Sequence, residues 1–445
     1  MTRRSTPPTL LAVTSILLAC SVEGERPNVV LILIDTLRAD ALGAYGAGDA
    51  ASPNLDELAA RGVLFEQVIA PATWTKPSMA SIFTARSAAR HGVRLEEHAL
   101  PAELTTLAEA FASAGYRTLG VNSNPWITDR FAFGAGFERY ESTVGIADIV
   151  NRTALAWLEE PSQRPTFLFL HYLDVHAPYR PSPAFFDVPP LRGPAQGRLP
   201  DAVLEERYRK ELLDGPHVRA RVRALYAGGV RELDAAIGDM LRALGSRGFL
   251  DGAIVAVTSD HGEAFGEHGR PEHGQDVYPE LHRVPWIVHA PGLLREGGRV
   301  TDVVSGIDVA PTLLSLARVP IPDGFEGRVL LPLGLQRGDE RPAITVGGLS
   351  RHAPDRDYVG VVWRNHLFVR ERATGTAELY DLEADPGARE DLVATGAQSA
   401  VLAELAEIAR RAEVVSVDPP PRAEIDAETS RQLEALGYLD ASPAR

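Results

Sequence analysis

The chain carries a single cysteine, Cys20, in 445 residues, so no internal disulfide holds it together. Lysine is almost as scarce. Only Lys76 and Lys210 occur, and arginine supplies the rest of the positive charge. That bias matches the usage of a GC-rich genome and says little about function. Positive charge is also in deficit overall, with a formal net charge of −15. A strongly acidic chain lacks the basic surface that phosphate backbones require, which excludes nucleic acid as a partner. No apolar run reaches the length of a stable bilayer span. What remains is a chain that is 45% hydrophobic, enough for a full core.

The cysteine has a local explanation. Arg3 and Arg4 form a positive n-region, an apolar stretch follows from Leu10 to Ala19, and Cys20 comes next. This is the layout of a secretory signal. Leu17-Leu18-Ala19-Cys20 resembles the lipobox of bacterial lipoproteins, in which the cysteine is lipidated and becomes the mature N-terminus. The expectation is a signal peptide over 1–19, a short linker over 20–27 and attachment to a membrane through lipid alone. Such a chain would be exported to the periplasmic side of a bacterial membrane, the outer membrane by preference. An ordinary signal peptide that happens to contain a cysteine is the alternative.

Val29-Val30-Leu31-Ile32-Leu33-Ile34 is an unbroken apolar run that ends at Asp35. Ile254 to Thr258 is a second, closely followed by Asp260, and Phe167 to Leu170 is a third, followed by His171. Continuous β-branched and apolar runs read as strands buried on both faces. Helical patterns lie between them, at Pro53 to Gly62, Thr105 to Gly115 and Tyr226 to Gly245. Alternation of this kind predicts an α/β domain with a mostly parallel central sheet. Ligands then bind beyond the carboxyl ends of the strands, where these acids and the histidine fall. The catalytic domain is expected over 28–335. Short antiparallel strands over Tyr358–Trp363, His366–Val369 and Glu378–Leu382, with helices at Gln398–Glu413 and near Leu433, predict a small α+β subdomain over 336–445. The Pro- and Gly-rich stretch Arg180 to Pro216 reads as a long surface excursion.

A carboxylate at the end of a buried strand is costly unless it is paired or bound to metal. Asp35, Asp260 and His261 together supply an oxygen- and nitrogen-rich donor set for a divalent ion, either Zn²⁺, Mn²⁺ or Ca²⁺. Taken in order, the opening strand with Asp-Thr-Leu-Arg-Ala-Asp, the segment Thr73-Trp74-Thr75-Lys76-Pro77-Ser78, Thr258-Ser259-Asp260-His261-Gly262-Glu263 and the tail Leu379 to Pro386 resemble the sulfatase family of the alkaline-phosphatase superfamily. The resemblance runs from about Pro27 to Leu392. It implies a three-layer αβα sandwich and an ester hydrolase.

That family's nucleophile is a Cys or Ser oxidised to formylglycine, followed by proline and, after one more residue, arginine. Here Thr75 holds the nucleophile position, with Pro77 and Ser78 following and Met79 in place of the arginine. Threonine is not a substrate for that oxidation, and Cys20 belongs to the lipobox. The family's later lysine is also missing, because that region reads Val121-Asn122-Ser123-Asn124-Pro125. The resemblance thus implies Thr75 as direct nucleophile and possible metal ligand. It shifts weight toward phosphate-type esters, with one ion or two, on a small-molecule, glycan or lipid substrate. His176 and His273 resemble histidines of the phosphoethanolamine transferases. They are candidates either for a second ion or for hydrogen bonding to the leaving oxygen. His171, Asp174, Glu267 and His268 are further possible ligands. Lys76 is a candidate for substrate contact or for solvent, Arg38 for an active-site carboxylate or a surface pair, and Thr73 and Ser78 are rival hydroxyls. A sulfatase working without formylglycine and a degenerate lipid-anchored binding protein are the competing expectations. Oligomeric state is not readable.

Overall fold

The computed structural model describes residues 26–48, 51–143, 145–186, 215–330, 341–350, 353–396, 398–413 and 418–435. The signal and lipobox residues, Cys20 included, and most of the 180–216 excursion lie outside them. No helix among the described residues is long and apolar enough to cross a membrane.

In chain order the strands are β1 Val29–Ile34, β2 Val63–Ile69, β3 Arg117–Asn122, β4 Arg139–Ser142, β5 Thr166–Tyr172, β6 Ile254–Thr258, β7 Ala264–Phe265, β8 Pro271–Glu272, β9 Arg283–His289, β10 Gly298–Ser305, β11 Ala343–Gly348, β12 Asp357–Trp363, β13 His366–Glu371 and β14 Ala377–Asp381. The main sheet runs β10-β2-β9-β6-β1-β5-β3-β4. Every pair in it is parallel except the two that involve β9.

The apolar run of β1 is explained by where its side chains go. Successive residues of a strand point to opposite faces. Val29, Leu31 and Leu33 enter one core, with Phe83 from the helix Thr75–Thr84 and Leu313 from the helix Val309–Leu316. Val30, Ile32 and Ile34 enter the other, with Leu55 from the helix Pro53–Arg61 and Leu233 from the helix Pro216–Ser246. Helices therefore cover both faces, and the architecture is the expected αβα sandwich. The helix ending at Ser246 starts at Pro216, ten residues before the expected Tyr226. Its early part, rich in Arg, lies beyond the expected helix because only one narrow face is apolar there.

The register fixes the site. Leu33 of β1 sits opposite His171 of β5 and Thr258 of β6. The three strands thus end side by side, with Asp35, His171 and Asp260 at one edge. The small antiparallel sheet β11-β12-β13-β14 packs against the helix Ser399–Glu413. It also abuts the loop before Thr75, where Thr73 N donates to the Val346 carbonyl at 2.9 Å.

Candidate active site

Thr75 opens the helix Thr75–Thr84, and its side chain is buried with 1% exposure. Three side chains lie within reach of its Oγ1: His261 Nε2 at 3.3 Å, Asn124 Nδ2 at 3.4 Å and Asp35 Oδ2 at 3.5 Å. The rival hydroxyls are committed elsewhere. Thr73 Oγ1 donates to the Asp276 carbonyl at 2.7 Å, and Ser78 Oγ donates to the Asp260 carbonyl at 2.6 Å. Met79 points into the core under the helix rather than into the site.

Asp35, Asp260 and His261 bring one ligand atom each to within 4.8 Å of one another. Each is fully buried. Asp260 Oδ1 accepts from the backbone N–H of His261 at 2.9 Å and of Thr36 at 3.3 Å. Its Oδ2 and Asp35 Oδ1 have no hydrogen-bond partner. A buried carboxylate oxygen without a partner is expensive, and two facing each other more so. Burial and the neighbouring Asp260 push the Asp35 carboxyl well above its ordinary range, and burial pushes Asp260 to about 7. The imidazole is prepared in the complementary sense. His261 Nδ1 lies 2.9 Å from the Gly262 carbonyl, and a proton there leaves the Nε2 lone pair facing both aspartates. Burial lowers His261 to about 4 and keeps it neutral. Two unpartnered oxygens and one imidazole lone pair on a shared centre fit a divalent cation.

The histidines form a row beside this centre. The His273 ring lies 4.5 Å from that of His261 and 5.1 Å from that of His176. His273 Nδ1 pairs with Glu263 Oε1 at 2.9 Å. Burial lowers His176 to about 4. His171 stands at the end of β5, with Nε2 3.5 Å from Asp35 Oδ2, and burial lowers it to about 3.

Three further candidate ligands face elsewhere. Asp174 accepts from Ala147 N at 2.9 Å, at the start of the helix Ala147–Trp157. Glu267 pairs with Arg38 at 2.8 Å and with Arg223. His268 pairs with Glu280 at 2.7 Å, stacks on Tyr278 at 3.7 Å and meets the Ala388 carbonyl. Arg38 is engaged with Asp40, Glu267 and the Glu263 carbonyl, bracing the loop after Asp260 from behind. Lys76 reaches neither solvent nor Thr75. It is fully buried, donates to the Glu96 carbonyl and lies over the rings of Phe131 at 3.2 Å and Trp126 at 4.7 Å.

Asn124 and Glu263 were not singled out from the sequence. Glu263 follows the Asp-His-Gly run directly, and that adjacency is its one signal in the sequence. Asn124 was visible only as the absence of a lysine.

A family model described as Sulfatase matches residues 27–319, and one described as N-sulphoglucosamine sulphohydrolase, C-terminal, matches 266–414. An arylsulfatase of Clostridium perfringens is 26% identical, over 81% of this chain and 89% of its own. An N-acetylglucosamine-6-O-sulfatase of Bacteroides thetaiotaomicron is 24% identical, over 86% of each chain. The phosphonate monoester hydrolase of Agrobacterium radiobacter shares the fold, with a TM-score of 0.72 at 21% identity over 90% of this chain and all of that one. With the family model spanning well over half its length, this chain is an ester hydrolase that belongs to the sulfatase family.

Proposed function

We propose that the protein is a metal-dependent hydrolase of phosphate-type or sulfate esters in which Thr75 is the nucleophile. The observation that carries this reading is the position of Thr75 Oγ1 beside Asp35 and His261 at a helix start. Thr75 passes its hydroxyl proton to a neighbouring acceptor, Asp35 or His261, and attacks the phosphorus or sulfur in line, its Oγ1 bonding there as the ester oxygen leaves. His176 or His273 steadies the departing oxygen. The first-turn N–H groups of the helix receive the non-bridging oxygens. Water then cleaves the threonine ester and restores Thr75, because a threonine ester cannot collapse as a formylglycine hydrate does. A divalent ion held by Asp35, Asp260 and His261 would polarise the ester and acidify the Thr75 hydroxyl. We favour Zn²⁺ or Mn²⁺ for the mixed oxygen and nitrogen set, with Ca²⁺ as the alternative.

The names of the relatives, an N-acetylglucosamine-6-O-sulfatase among them, favour a second reading, that of a glycan sulfate ester. The likeness in fold to a phosphonate monoester hydrolase keeps phosphonates and phosphodiesters alongside. The lipobox-like run before Cys20 supports export and lipid attachment on the periplasmic side of a membrane. The test is a panel of nitrophenyl phosphate, phosphodiester, phosphonate and sulfate with Zn²⁺, Mn²⁺ and Ca²⁺, repeated with Thr75→Ala. Loss of turnover in the variant is expected. Full activity would remove Thr75 from the reaction, and the better ester of the panel decides between the two substrate readings.

A further inference from the structure

We propose that Asn124 is the positioning residue of this centre. Its carboxamide holds the Asp35 carboxylate and the Thr75 hydroxyl at a fixed spacing and, among the described residues, is an amide donor aimed at the Thr75 oxygen as the hydroxyl gives up its proton. The inference rests on the nucleophile reading above and deepens it.

Asn124 lies just beyond the end of β3 and is 1% exposed. The turn it sits in clamps it from three directions. Its N–H donates to Asn122 Oδ1 at 2.7 Å, and its carbonyl accepts from Asn122 Nδ2 at 2.8 Å. Its own Oδ1 accepts from Trp126 N at 2.8 Å. That last bond settles which end of the amide is which. Turned over, the NH₂ group would face the Trp126 N–H and the oxygen would face a carboxylate, two repulsive contacts in place of two good ones. Nδ2 therefore points at Asp35 Oδ2, 2.6 Å away, and at Thr75 Oγ1, 3.4 Å away.

The other two neighbours of Thr75 Oγ1 are acceptors. One is the Asp35 carboxylate, and the other is the His261 Nε2 lone pair, left exposed by the Nδ1 contact with Gly262. While the hydroxyl keeps its proton, it can donate to either. As the hydroxyl passes its proton to one of these acceptors and bonds to the substrate, the other stays repulsive, and the Asn124 side-chain N–H is a contact that turns favourable. A donor fixed in advance toward a charge that develops during reaction is the arrangement that accelerates the chemical step rather than binding. The same amide restrains Asp35, as outer partners of metal-ligating carboxylates do. The lysine that the resemblance implies is missing from this stretch, and the neutral Asn124 amide orients Asp35 and Thr75 without adding charge.

Two variants separate positioning from simple support of the turn. Asn124→Asp keeps the shape and the acceptor for Trp126 N but replaces the donor with a carboxylate oxygen facing Asp35. Asn124→Ala removes both. Activity on the best ester of the panel and Mn²⁺ affinity by titration calorimetry are measured for each, beside wild type and Thr75→Ala. In both variants kcat is expected to fall by about 10²-fold, with KM changed less than roughly threefold. In Asn124→Ala the Mn²⁺ affinity is expected to fall by about tenfold. Asn124→Ala removes the donor without adding charge, so a wild-type kcat in either variant overturns the proposal. If Asn124→Asp fails to fold, Asn124→Ala decides alone. An inactive Thr75→Ala with fully active Asn124 variants sinks this inference alone. An active Thr75→Ala sinks the nucleophile reading and this inference with it.

Discussion

Replacing Asp260 with asparagine should make the metal-free protein more stable while abolishing its response to metal. The geometry makes the substitution nearly clean. Asp260 Oδ1 accepts from Thr36 N and His261 N, and the amide oxygen of asparagine can accept both. Oδ2 is the oxygen without a partner, and an NH₂ group there would face His261 Nε2, 3.4 Å from its position. The charge is what the fold pays to keep. Burial raises Asp260 from 3.8 to about 7, which corresponds to about 4 kcal/mol. A raised carboxyl binds its proton more tightly in the folded than in the unfolded chain. Its favourable contribution is complete below pH about 4 and is lost as pH rises through about 7. The metal-free wild type should therefore weaken across that window, and Asp260→Asn should lack this part of the slope.

At pH 8 with chelator, Asp260→Asn is expected to exceed the wild type by up to about 4 kcal/mol. An unfolding entropy near ~2.1 cal/mol/K per residue over 445 residues converts this to roughly 1 °C per kcal/mol, so a gain of up to about 4 °C. Mn²⁺ at a hundredfold excess over its dissociation constant should then raise wild-type stability by about 2.7 kcal/mol and leave the variant unmoved. Calorimetric melting with and without metal measures both. A metal-free variant that melts at or below the metal-free wild type would refute the reasoning, as would equal stabilisation of the two proteins by Mn²⁺.

Other perturbations probe the surroundings. Lys76→Met should leave kcat/KM within roughly threefold of wild type, because the ammonium is held by the Glu96 carbonyl and the Phe131 ring; a loss of about 10² would restore it to substrate contact. Thr106 and Glu109 form a reciprocal cap on the helix Leu107–Ser113, and Thr106 also donates to the Ala135 carbonyl. Thr106→Ala should cost about 0.5–2 kcal/mol in urea unfolding, with turnover unchanged. Glu280 holds His268 protonated above its ordinary pKa against the opposing effect of burial. The charge then stabilises most below the ordinary histidine value and fades as pH rises through the raised one. The melting difference between wild type and His268→Gln should accordingly be larger at pH 5.5 than at pH 9, and a difference that grows with pH would contradict it.

Much of this centre was legible in the sequence because burial on two faces leaves a plain mark. A strand sandwiched between helix layers is apolar along its middle, and β1, Phe167–Leu170 of β5 and Ile254–Val257 of β6 are. Polar residues where such runs stop are conspicuous, so Asp35, His171, Asp260 and His261 could be named from spacing alone. That they meet follows from strand order, which periodicity does not encode; β5 and β6 flank β1 although more than eighty residues separate them in the chain. The reading failed where a side chain's direction mattered. Consecutive helical residues point about 100° apart, and while Thr75 faces the site Lys76 turns to the Glu96 carbonyl and the Phe131 ring. Asn124 was hidden for a different reason. Two asparagines and a proline signal a turn, and a turn is ordinarily where such residues spend their hydrogen bonds. Here Asn122 does that work, together with the oxygen of Asn124. The nitrogen left over is aimed at Asp35 and Thr75, and only the three-dimensional count of donors against acceptors brings it to light.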